Sequence, residues 1–131
     1  LMERTITIDG QEVRLRASAA IPRLYRIKFQ RDILQDMQKI RKELELVRNE
    51  KKEATECDTA MMEVMNLVEN VAYIMAKHAD KDAVPDTVED WMNTMEPFSI
   101  MKILPVVIDL WTANMQTTVQ PVKKLKRRSV K

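Results

Sequence analysis

The chain has 131 residues, a formal net charge of +2, 45% hydrophobic and 32% charged residues, and a single glycine, histidine and cysteine. That balance fits one soluble globular domain with a modest core, excludes an internal disulfide, and leaves little material for phosphate-cradling loops, nucleophilic chemistry or metal ligation. The longest apolar runs, Ile103 to Ile108 and Val71 to Ala76, are six residues each against the roughly 18 that a membrane span needs.

Thr5 to Arg16 alternates apolar and polar residues around Asp9-Gly10. An Asp-Gly pair supplies the two positive-φ positions of a tight hairpin turn. The predicted register opposes Ile6 to Val13 and Ile8 to Gln11, and puts Ile6, Ile8, Val13 and Leu15 on one face. Pro22 suits the first turn of a helix. Beyond it Ile33, Met37, Ile40, Leu44 and Val47 recur at spacings of 4, 3, 4 and 3, an amphipathic seam that Tyr25 and Phe29 extend. Ten of the sixteen residues from Arg41 to Glu56 are charged, as in a solvated helix end or connection. Thr55 or Asp58 can cap the next helix. Its wide apolar arc from Ala60 to Ala79 predicts a central element. Asp86 with Glu89 reads as a capping box for a short helix through Met95. Ser99 caps a last helix through Met115, with a kink or restart at Pro105 and an end at Pro121. The fold class is mainly α: an N-terminal β-hairpin followed by about four helices. Residues 1–120 form one domain, with the hairpin over 5–16 and the helical part over 20–120. Residues 121–131 are a basic tail expected to be flexible.

Charge is unevenly spread, with a net of +3 over residues 1–56, −7 over 57–120 and +6 over 121–131. Such polarity suits contacts with other proteins, including other copies of the chain. His78, at a helix end, reads as a capping cation, and Cys57 as a small packing residue without metal-ligand spacing to anything. Asp80, Asp82, Asp86, Glu89 and Asp90 cluster, but a calcium loop starting at Asp80 would put Pro85 where glycine belongs and Trp91 where a bidentate glutamate belongs. The cluster reads as a solvated, capping turn. No cofactor, metal or catalytic constellation is expected. Arg23, Arg26, Lys28 and Arg31, with Lys123, Lys124, Lys126, Arg127 and Arg128, could meet phosphates, yet the acidic middle and the absence of a glycine-turn helix-turn-helix argue against nucleic acid. The ten methionines include Met61, Met62, Met65 and Met75 on one helix, then Met92, Met95, Met101 and Met115. Core filling is their commoner use, and adaptable binding surface the other. Trp91 and Trp111 read as core or interface anchors.

Several stretches resemble tail assembly chaperones of long-tailed phages and prophages of Gram-positive bacteria. They are Ile21-Pro22-Arg23-Leu24-Tyr25-Arg26, Ala72-Tyr73-Ile74-Met75-Ala76-Lys77, Pro85-Asp86-Thr87-Val88-Glu89-Asp90-Trp91, Phe98-Ser99-Ile100 and Leu110 to Thr118. The similarity runs over residues 5–126 and rests on the order and spacing of short motifs. It implies a non-enzymatic protein of the bacterial host cytoplasm that keeps the tape measure protein soluble, recruits tail tube subunits around it and is absent from the finished tail. It also implies that a longer, frameshifted form can exist, and Lys123-Lys124 is compatible with a slippery codon pair. The resemblance supplies no binding residues. On the residues alone, the expected partner-binding positions are Met61, Met65, Trp91 and Met95, or the last helix around Trp111. Self-association through the hairpin edge or the first helix seam, giving a homo-oligomer, is a second expectation. The alternative functions are a structural or connector component retained in the virion and, after it, a small DNA-binding regulator.

Overall fold

The computed structural model describes residues 2–49, 59–97 and 99–113. Thr55, Cys57, Asp58, Met115, Pro121 and the basic tail lie outside them. Two strands, β1 (Met2–Ile8) and β2 (Gln11–Ala17), precede the helices α1 (Ile21–Phe29), α2 (Ile33–Arg48), α3 (Thr59–Ala79) and α4 (Val88–Met92), and a fifth helix, α5, covers 99–113.

The hairpin closes at Asp9 (φ 52°) and Gly10 (φ 81°), and Ile6 opposes Val13 and Ile8 opposes Gln11 as the alternation predicts. Ile8, Val13, Leu15 and Ala17 are buried, while Ile6 is partly buried at the rim. The turn is also a tether. Ser99 Oγ and Lys102 Nζ of α5 donate to the two carboxylate oxygens of Asp9 at 2.8 and 2.9 Å. Lys102 first, then Ser99, holds that carboxyl below the usual carboxylate range. Ser99 is thus a buried link to the hairpin, where the sequence predicts a helix cap. Space around Gly10 is open, so its value lies in its backbone conformation. Gly10→Ala is expected to cost about 1–2 kcal/mol, the penalty of a left-handed L-residue, and Gly10→Asn less. Urea unfolding of the two variants checks this.

The seam from Tyr25 to Val47 is carried by two helices where the sequence suggests one. Gln30 turns left-handed (φ 59°), its N–H bonding back to Arg26 O, and Asp32 caps α2 by accepting from Leu34 N. A short loop makes Ile33, Met37 and Ile40 face the same core as Ile21 and Tyr25. The mainly α expectation of an N-terminal hairpin followed by about four helices holds: among the described residues there are five, four of them of seven residues or more.

Helix α3 is the central element, packing against β2, α1, α2 and α4. Residues 71–76 are buried without interruption, which requires neighbours on every side and explains the wide apolar arc. Its last turn is closed by Lys77, whose ammonium donates to Lys81 O, Val84 O and Asp86 Oδ1 at 2.8, 2.6 and 3.0 Å. Asp86 is therefore the partner of Lys77. The cap of α4 is Thr87, whose hydroxyl accepts from Asp90 N, and the helix ends at Met92 in a turn rather than at Met95. Helix α5 continues through Pro105 without a restart, and Ile100, Ile103, Leu104, Val107, Leu110 and Trp111 enter the same core cluster. No described helix is long and apolar enough to cross a membrane.

Candidate functional site

The sequence-predicted positions are spread over the molecule. Trp91 and Trp111 are each 4% exposed. Trp91 meets the Tyr73 ring edge-on at 5.9 Å between centroids, so both indoles are core. Met65 is partly buried against that core and Met61 is half-buried at the other end of α3, about 18 Å of helix from Tyr73 at 1.5 Å per residue. Met95 lines a small cleft at the hairpin tip with Ile8, Gln11 and Ser99. Among the described methionines the one with the most open surface is Met62, at 58%.

An open concave surface lies elsewhere, where α1 meets the second half of α3. It is an open groove of about 470 Å³, within the roughly 300–1,000 Å³ of binding clefts. Tyr73, Ile74 and Leu24 form its floor and Ile27 one wall. Ile27 is 67% exposed and carries the apolar lining of the groove out to the surface. Lys28, Lys77, Lys81, His78 and Asp86 make the lip. The floor is held rigidly, because Tyr73 Oη donates to Pro85 O at 2.6 Å. Lys28 donates to Asp86 O at 2.6 Å while lying 5.7 Å from the Tyr73 ring centroid. The lip carries three ammonium groups against one carboxylate, and Lys77 holds Asp86 below the usual carboxylate range by hydrogen bond and charge.

The histidine at the lip sits in the last turn of α3, where the sequence places it. Its Nε2 lies 2.9 Å from Ser18 Oγ, joining α3 to the residue after β2. Burial first, then the charges of Arg16 and Lys81, lowers its pKa, so the neutral ring is favoured. The folded chain then takes up the His78 proton at lower pH than the unfolded chain. Its contribution to stability is complete above about pH 6.5, the unfolded value, and is lost as pH falls through the folded pKa. Thermal unfolding at pH 5 and pH 7.5 should show this loss in the native chain and a smaller one in His78→Gln.

Of the four basic residues near α1, Lys28 is engaged at the lip and Arg31 grips Asp36 through Nε and Nη2, both at 2.8 Å, which leaves Arg23 and Arg26 as the outward pair. No group of His, Cys, Asp or Glu that could hold a metal occurs among the described residues.

No family model, curated protein or solved structure matches this chain.

Sequence reasoning missed the groove because its two walls lie about fifty positions apart. The one available signal was Ile27, an apolar residue between Arg26 and Lys28 on the polar side of a helix whose core face is Ile21 and Tyr25.

Proposed function

We propose that this protein is an assembly chaperone of the bacterial cytoplasm that holds the tape measure protein of a long-tailed phage in soluble form and helps bring tail tube subunits to it. The observation that supports this reading is the apolar groove between α1 and α3, with Ile27 exposed beside it and charged groups at its lip. A long helical protein awaiting assembly exposes apolar stripes. A chaperone for it needs a concave apolar surface to cover them and a charged rim to keep the contact reversible. The chain-order motifs resembling tail assembly chaperones give the partner its name, and the groove gives the contact its chemistry.

Co-expression with a tagged tape measure protein tests the proposal. Capture of the chain and a rise in soluble tape measure protein are expected, together with absence of the chain from purified virions. A chain that leaves the tape measure protein insoluble and is recovered in finished particles would overturn the reading in favour of a structural tail component.

A further inference from the structure

We propose that the groove between α1 and α3 seats about two turns of an amphipathic helix whose apolar stripe is flanked by carboxylates. This rests on the chaperone reading and specifies which kind of partner segment the site takes.

The shape argues for a helix. The groove runs along Leu24, Ile27 and Lys28 on α1 and along Tyr73, Ile74, Lys77 and His78 on α3, continuing to Lys81. These are the spacings of three and four residues at which one helix presents ridges to another. Both walls are helices, so their backbone N–H and C=O groups are already paired within the wall. An extended peptide laid there would find no strand edge and would bury its own backbone groups unpaired. A helix brings its backbone already satisfied, and its stripe can cover Ile27, Leu24 and Ile74.

The charge argues for acidic flanks. Lys28, Lys77 and Lys81 surround the groove, and its one lining carboxylate, Asp86, is 3.0 Å from Lys77. Among the described residues no ion pair engages the Lys81 ammonium, and Arg16 adds positive potential beside His78. The same lip disfavours the chain's own C-terminus as occupant, since residues 121–131 carry six basic side chains and no acidic one.

The test uses the full chain and two fluorescent helical peptides with the same leucine stripe, one flanked by glutamates and one by lysines, titrated by anisotropy at low salt. The glutamate peptide is expected to bind at least about tenfold more tightly than the lysine peptide, with the preference shrinking as salt rises. Lys81→Glu should reduce or invert that preference, and Ile27→Asp should abolish binding of both. Both positions are exposed, so circular dichroism should be unchanged. Equal affinity for the two peptides, no binding of either by the folded chain, or binding indifferent to Ile27→Asp would overturn the proposal. So would sedimentation showing a native dimer that Ile27→Asp converts to monomer, since the groove would then be covered by a second copy. Failure of this site and failure of the chaperone reading are separable. Tape measure capture that survives Ile27→Asp removes the groove and keeps the chaperone. Peptide binding without any tape measure capture keeps the groove and removes the chaperone.

Discussion

Asp36→Ala is expected to destabilise the chain by about 3 kcal/mol and to lower Tm by roughly 10 °C. Asp36 is 3% exposed and ties α2 to α1 and to the loop between them. It accepts the Tyr25 hydroxyl at 2.6 Å and two bonds from the Arg31 guanidinium at 2.8 Å each. Deleting the carboxylate takes the acceptor from the hydroxyl of a fully buried tyrosine, whose other partner is the Asn70 side chain, a loss of about 1–3 kcal/mol, and removes two charge-assisted bonds. Arg31 is about half exposed and can turn to water, which keeps the cost at the low end of the roughly 3–5 kcal/mol for breaking a buried pair. Tyr25→Phe leaves the Arg31 bonds in place and should cost only about 1 kcal/mol. Urea denaturation of both variants and of the double variant separates the contributions. Burial pushes the Asp36 carboxyl up, but the bonds from Arg31 and Tyr25 and the Arg31 charge outweigh it, so its pKa lies below the ordinary aspartate value. This stabilisation is therefore complete above about pH 4, the unfolded value, and is lost as pH falls through the folded pKa. Asp36→Asn should flatten that acid limb.

Trp91→Ala should cost about 3–5 kcal/mol, the range for emptying a buried tryptophan site. Helix α4 has five residues, too few to persist without tertiary contacts, and Trp91 is its buried residue. Its indole packs edge-on against Tyr73, the same tyrosine that floors the groove and bonds to Pro85 O. Loss of the indole should therefore raise amide exchange over residues 80–92 before the rest of the chain opens. An indole that served only a partner would leave the free protein as stable as the native chain, so a thermal melt without any partner distinguishes the two roles. Trp91→Phe, which keeps an aromatic ring against Tyr73, should recover part of the loss.

The elements that were legible in the sequence carry local signals. Asp9-Gly10 set between alternating residues specifies the hairpin and its register, and the unbroken apolar run from Val71 to Ala76, with tyrosine inside it, specifies a helix buried on all sides. The break between α1 and α2 was hidden because the apolar seam keeps its spacing across it and the left-handed residue is Gln30 rather than glycine. Asp32 followed three residues later by Gln35 was the cap signal that could have located it. The Tyr25–Asp36–Arg31 network and the groove depend on which faces meet after folding, and periodicity carries no record of that. Choosing methionines and tryptophans as binding residues followed residue type. Burial separates them, since both tryptophans are core while Ile27, Leu34, Met62 and Met101 are the exposed large apolar residues among those described.

Hydrogen exchange of the chain alone and bound to the tape measure protein tests the central claim most directly. Binding in the groove predicts new protection over residues 24–28 and 73–81, with little change over 102–109 of α5, which does not line it. Protection confined to α2 and α5, with the groove segments exchanging as in the free chain, would contradict it.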